Sequence, residues 1–244
     1  MALVETSRAD GIALVTLNRP EKRNATTPEL NLLLVERLRL LERDDAVTVI
    51  VLTGAGGDFC VGGDREVVAR MLVDPEFRAS LSAGHDLVAT TLLDLGKPLI
   101  AAVNGPALGF GAELAAFCDL VVMSANAYLC DPHVRFGLPP APGALLAWPQ
   151  LTSRKIAAEL LLTGREVGAE EAVRLGLANR AVPEGRAVAE AQALARQICS
   201  LPREGVLLAR QALRQSYAAM LGSLPGSARA VFPDKGVEAG PSRG

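Results

Sequence analysis

The stretch Lys97-Pro98-Leu99-Ile100-Ala101-Ala102-Val103-Asn104-Gly105-Pro106-Ala107-Leu108-Gly109-Phe110-Gly111-Ala112-Glu113-Leu114 decides how this chain is read. Its apolar run from Leu99 to Val103 lies between Pro98 and Asn104-Gly105, the pattern of a strand covered on both faces. Three glycines follow, at 105, 109 and 111, and let the backbone approach a ligand closely. A helical pattern then opens with Glu113 in its first turn. The orphan N–H groups and the positive dipole end of such a helix suit a developing negative charge. A tight strand-to-helix connection with an ordinary N-terminal glutamate has the same pattern, and this stretch alone does not separate the two readings.

Upstream, residues 47–53 form a second β-rich run, followed by Gly54-Ala55-Gly56-Gly57-Asp58-Phe59-Cys60-Val61-Gly62-Gly63-Asp64. This is another glycine-rich loop, and it too opens into a helical pattern, at Arg65. Asp64 stands where a helix cap is preferred and is read as one. The two strand–loop–helix segments form a matched pair.

Together with Leu17-Asn18-Arg19-Pro20-Glu21-Lys22-Arg23-Asn24-Ala25, Cys118-Asp119-Leu120, Leu161-Leu162-Thr163-Gly164-Arg165 and Gly176-Leu177-Ala178-Asn179-Arg180-Ala181-Val182-Pro183, these segments resemble the crotonase superfamily, the enoyl-CoA hydratase/isomerase group. The resemblance runs from about residue 14 to 212, in family order. It implies an α/β fold, a crotonase-like spiral of ββα units with a C-terminal helical region, and assembly as a homotrimer or a dimer of trimers. It implies an acyl-CoA thioester as substrate, with the carbonyl polarised by the backbone N–H groups of Gly63 and Phe110. Coenzyme A enters as part of the substrate, with no separate cofactor and no metal. For the CoA moiety the resemblance points to Arg23 and Ala25 in the first motif and to Gly62 and Asp64 on the loop. Lys22 and Arg23 also read as a solvated charge pair in a turn.

In the hydratases of this family a pair of glutamates handles the water and the proton. The first matches Glu113; the second, twenty residues on, is His133 here. An imidazole titrates near neutrality and accepts or donates a proton there, so Glu113 and His133 are the expected catalytic pair, although hydration need not be the outcome. Three alternatives stay open: a Glu–His ion pair without catalysis, a non-hydratase activity, and a non-catalytic acyl-CoA-binding homologue. Phe110 stands where many hydratases have glycine, and its ring fills space either in the pocket or in a subunit contact. Asp131 either orients the imidazole or caps a turn, with Asp-Pro favouring the turn. The other histidine, His85, is read by default as a surface or packing residue. Pro139-Pro140-Ala141-Pro142-Gly143 is expected to be a stiff loop. No acid stands between Asp131 and Glu159, which argues against a carboxylate nucleophile there.

The chain has 244 residues, half of them hydrophobic, with 25 basic and 27 acidic side chains and a net charge of −2. That is enough for one large core plus an appendage. The balance gives no electrostatic reason for nucleic acid as a partner, and no basic stripe with interleaved aromatics exists. Cys60, Cys118, Cys130 and Cys199 lack Cys-x-x-Cys spacing, which suggests reduced thiols in a cytoplasmic protein. No apolar run reaches membrane-spanning length, and because residues 1–5 lead directly into a strand pattern no targeting segment is expected.

Strands are expected near 2–8, 12–17, 47–53, 99–103 and 120–124. Helices are expected near 28–42, 65–72, 77–95, 110–117, 153–162, 169–175, 186–199 and 204–221. Residues 1–198 read as the spiral core and 199–244 as a C-terminal helix with a tail, from 222 on, that is disordered or loosely packed.

Overall fold

Asp10 and Gly11, at φ of 53° and 79°, make the two-residue turn that joins β1 (Val4–Ala9) to β2 (Ile12–Leu17) as an antiparallel pair, the geometry that Asp-Gly favours. The computed structural model of the chain describes residues 2–140 and 142–222. From β2 the chain crosses through α1 (Pro28–Glu42) to β3 (Val49–Gly54), which lies parallel to β2. Thr27 caps α1 by accepting from the Leu30 N–H at 3.2 Å, with Pro28 in the first turn, where its missing donor costs nothing. Leu30, Leu34, Leu38 and Leu41 place the apolar stripe of α1 on the core.

Next come α2 (Arg65–Val73), α3 (Pro75–Asp94) and β4 (Leu99–Val103), then β5 (Ala107–Leu108) and α4 (Phe110–Ala116). The following turn has β6 (Leu120–Ser124) and β7 (Tyr128–Cys130), a 3-10 turn at His133–Phe136, α5 (Pro142–Leu151) and α6 (Arg154–Thr163). The chain then forms β8 (Val167–Gly168), α7 (Ala169–Leu175), β9 (Arg180–Val182), α8 (Ala187–Cys199) and α9 (Arg203–Gly222). The large sheet has the order β1-β2-β3-β4-β6-β9, parallel except at β1/β2, and β5-β7-β8 form a smaller sheet. The turns β4–β5–α4 and β6–β7–α5 each add one strand to the large sheet and one to the small sheet before a helix.

The central strands alternate between two cores. Ala13, Val15, Ile50, Leu52, Leu99, Ala101 and Val103 face the main core, while Ile12, Val49, Val51, Ile100, Ala102 and Val122 face Ala187, Ala191 and Ala195 of α8. A strand covered on both faces reads as a continuous apolar run, as the sequence did.

The differences from the sequence expectation are local. β5, β7, β8 and β9 are two or three residues long, too short for any periodicity. Pro142 opens α5 within the stretch expected to be a stiff loop, because proline's fixed φ suits a first helical turn. Gly222, the first residue of the expected tail, still belongs to α9, and the rest of that tail, residues 223–244, lies outside the described residues. No helix among the described residues is long and apolar enough to cross a membrane.

Two cations inside the fold are structural. Lys97 is buried, and its Nζ donates to the carbonyls of Leu41 and Asp44 at 2.6 Å each, fixing the end of α1. Arg210, 5% exposed, fastens α9: its Nε donates to Asp119 Oδ2 at 2.7 Å, and that same oxygen accepts from the Leu99 N–H at 2.7 Å. Arg210→Ala leaves Asp119 and the Leu92 carbonyl short of a donor, and an unfolding titration is expected to show a loss of about 2–3 kcal/mol. A change below about 0.5 kcal/mol would mean that α9 is held by other contacts.

Candidate active site

Two glycine-rich loops meet where β3 and β4 end, and glycine is what lets their backbones touch. A Cβ at Gly105 would stand 1.8 Å from the Gly57 carbonyl oxygen, and one at Gly111 would stand 2.0 Å from that of Cys60. Asparagines fasten the loops. Asn104 Oδ1 accepts from the Gly54 N–H at 3.2 Å, its Nδ2 donates to the Gly56 carbonyl at 3.0 Å, and buried Asn24 donates to the carbonyls of Ala55 and Asp58 at 2.8 Å. The Leu108 N–H donates to the Cys60 carbonyl at 2.9 Å.

Each loop then turns at a glycine of positive φ, Gly62 at 81° and Gly109 at 50°. The next N–H in each case is that of Gly63 or Phe110, and the backbone bonds holding the loops leave both unused among the described residues. The Phe110 nitrogen lies 3.5 Å from the point where a Gly62 Cβ would stand. The Phe110 N–H, at the first position of α4, thus lies against Gly62, the residue that precedes the Gly63 N–H.

One turn into α4, Glu113 is 3% exposed. One carboxylate oxygen packs against Gly143, whose N–H serves it as donor, and Oε1 is buried with no partner among the described residues. Burial raises this carboxyl well above the usual glutamate range, the charges of Asp131 and Asp86 add to the rise, and the Gly143 N–H offsets part of it. Glu113 therefore holds its proton more tightly than an exposed glutamate does.

His133 opens the 3-10 turn after Pro132. Its N–H donates to Asp131 Oδ1 at 3.1 Å, and its Nδ1 lies 2.5 Å from the same oxygen. The two readings left open for Asp131 thus hold together: one carboxylate both caps the turn and meets the imidazole. Glu113, His133, Gly62, Gly63, Phe110 and Arg23 line a single cavity of about 1160 Å³ with mostly apolar walls.

Of the two default readings of His85, surface or packing, the structure bears out packing, and the packing is at the site itself. His85 lies on the wall of this cavity, with its ring stacked on Phe110 at 3.9 Å between centroids and 11° between planes. Burial, and then the neighbouring His133, lower its pKa to about 3, so this imidazole is neutral at physiological pH. The Phe110 ring accordingly packs against α3 inside the site.

Arg23 stands at the rim of the cavity, half exposed, with its guanidinium forked onto Asp58 at 2.7–3.1 Å. Ala25 and Asp64 lie behind the cavity wall. Asp64 caps α2 through the Glu66 N–H at 2.9 Å and pairs with Arg19 at 2.9 Å; the capping bond, then Arg19, holds its carboxyl below the usual range. Its charge is committed inside the protein, as the cap reading expects. Sequence reasoning missed Asp86 and Gly143, and neither had a signal in local pattern, because each reaches the site only through tertiary packing.

The model for the enoyl-CoA hydratase/isomerase family matches residues 7–224. The chain belongs to the enoyl-CoA hydratase/isomerase family. It is 40% identical to a candidate enoyl-CoA hydratase of Thermus thermophilus, over 83% of this chain and 80% of that protein. It is 34% identical to the 1,2-epoxyphenylacetyl-CoA isomerase of Escherichia coli, over 84% of this chain and 79% of that protein. The crystal structure of an enoyl-CoA hydratase/isomerase from Mycobacterium paratuberculosis superposes with a TM-score of 0.84 at 35% identity, covering 91% of this chain and 88% of that one. The expected crotonase-like α/β fold is therefore the fold of this enoyl-CoA hydratase/isomerase family member.

Proposed function

We propose that this protein is an enzyme that acts on acyl-CoA thioesters through an enolate, with the N–H groups of Gly63 and Phe110 as its oxyanion hole. The observation that carries the proposal is the pair of free donors beside a buried carboxyl whose pKa is raised, at one end of a large apolar cavity. Fixed donors aimed at charge that appears only in the transition state are worth on the order of 3 kcal/mol each. In the hydration direction water adds at Cβ of a 2-enoyl thioester and the enolate takes a proton at Cα. Glu113, whose carboxyl burial biases toward its acid form, is assigned as donor of the Cα proton, and His133 as acceptor of the proton from water. Arg23, at the rim, is placed to meet the CoA phosphates, and coenzyme A is carried by the substrate with no further cofactor. A homotrimeric assembly and a cytoplasmic setting belong to the same proposal.

Double-bond isomerisation is the second reading, favoured by the histidine in place of the second glutamate. It moves a proton between two carbons and consumes no water, so one mobile acid/base group suffices.

The test is calorimetric binding of crotonyl-CoA and a longer enoyl-CoA to the purified protein, with hydration followed by loss of the enoyl absorbance and isomerisation followed with a 3-enoyl ester. Turnover in either assay supports the proposal. Binding without turnover makes the protein a non-catalytic acyl-CoA binder, and absence of binding overturns the CoA assignment. If the exchanged partner limits hydration, His133→Glu is expected to raise the hydration rate by about tenfold or more.

A further inference from the structure

We propose that Asp131 is the positioning residue of a catalytic dyad, holding His133 with its proton on Nδ1 so that Nε2 is left bare as the base that works opposite Glu113. The inference rests on the catalytic role assigned to His133 above.

Asp131 is fully buried at the end of β7, its Oδ1 meets both the backbone N–H and the Nδ1 of His133, and its Oδ2 is buried with no partner among the described residues. A carboxylate withdrawn from water with one oxygen unpaired is an expensive placement. Turn capping alone does not account for it, because an exposed Asp caps a turn equally well. The 2.5 Å contact to the ring does account for it. An ionised carboxylate can only accept, so Nδ1 must carry the hydrogen, and in a neutral imidazole the other nitrogen is then the acceptor.

The ring also has a fixed place. Its Cε1 and Nε2 stand 3.3 and 3.9 Å from the point where a Gly109 Cβ would be. The absent side chain at 109 thus admits the imidazole beside the residue that precedes the Phe110 donor.

The groups that bear on His133 come from several elements. His85 of α3 is neutral and stacked on Phe110, Arg135 follows in the same turn, and Glu113 projects from α4 into the same cavity. The charge of Asp131 also reaches Glu113 and helps to keep its proton on. One buried carboxylate therefore touches both groups of the proposed pair, holding the ring of His133 through Nδ1 and adding to the hold of Glu113 on its proton.

The direct test is the nitrogen spectrum of 15N-histidine-labelled protein at alkaline pH, where an imidazole is neutral and its protonated and bare nitrogens resonate far apart. The chain has two histidines, and a His85→Gln variant identifies the His133 signals. Protonated Nδ1 with bare Nε2 in the wild type is expected; an Nε2–H tautomer overturns the proposal. In kinetics, Asp131→Asn is expected to lower kcat on the order of a hundredfold with KM within about threefold, and Asp131→Glu to restore part of the rate. In a His133→Gln background the Asp131→Asn loss should shrink by about tenfold or more. An equal loss in both backgrounds would mean that Asp131 acts only through Glu113 or the fold, and would overturn the positioning role. If the wild type turns over no CoA ester, the proposed activity falls, while the spectrum still decides the dyad.

Discussion

Glu113→Gln is expected to lower kcat by about a thousandfold on whichever CoA thioester the wild type turns over, while calorimetric affinity for that ester changes by less than about threefold. The side chain is nearly isosteric, and the Gly143 contact and the packing of α4 against the first loop remain. What is lost is the transferable proton beside the oxyanion donors, a group needed in the transition state and not for holding the ester. An equal fall in kcat and affinity would point to a damaged pocket. An unchanged kcat would remove Glu113 from the mechanism and leave His133 as the sole proton carrier.

The same substitution should stabilise the protein. The Glu113 carboxyl is raised in the folded state above its ordinary value of 4.5, so between 4.5 and its folded value the native state holds a proton that the unfolded chain has released. Stability from this group is fully present below about pH 4.5 and falls as pH rises through that window, by up to about 1.4 kcal/mol per pH unit. Glutamine has no such dependence. The melting temperature of Glu113→Gln is therefore expected to exceed that of the wild type at neutral pH, with a gap that opens from about pH 4.5 upward. Parallel melting curves across pH would show that the carboxyl is ionised in the folded protein, and its assignment as acid would fail. A catalytic group that costs stability is the expected signature of a site selected for chemistry.

Much of this site was legible in the sequence because it depends on backbone. Gly62, Gly63, Gly109 and Phe110 belong to local strand–loop–helix patterns, and α1, β2, β4, β6 and α7 follow from apolar periodicity and caps that one window of sequence contains. The parts that were not legible depend on packing between distant segments. His85 lies on a helix whose buried face one sequence could not fix. Asp86 and Gly143 reach Glu113 only after α3 and α5 have folded over α4. Asp131 stood two residues from His133 with both of its readings open, and only burial separated a surface turn from a carboxylate that meets the ring at 2.5 Å. Arg210 and Lys97 are ordinary surface residue types by composition, and their burial follows from carbonyls that other elements bring to them.

Gly62→Ala is expected to lower kcat by about 10²–10³-fold, the loss that follows removal of one oxyanion donor. The glycine has φ of 81°, which carries a penalty of roughly 1–2 kcal/mol for an L side chain, and its added Cβ would stand 2.8 Å from the Leu108 carbonyl oxygen of the second loop. That neighbour is backbone and cannot swing aside, so the loops must separate or the peptide ahead of Gly63 must rotate. Either movement displaces the Gly63 N–H, which the proposed oxyanion hole pairs with that of Phe110. Gly57→Ala is the control on the same loop, because a Cβ there meets nothing within 4 Å and the residue has no positive φ. It should keep the wild-type rate within about twofold. Binding of the CoA ester by Gly62→Ala should weaken far less than turnover falls, since the donors act mainly on the enolate and only weakly on the ground-state carbonyl. Gly62→Ala with wild-type kcat would show that the Gly63 N–H does not face the reacting carbonyl, and the pair of donors that carries the enolate assignment would be reduced to Phe110 alone.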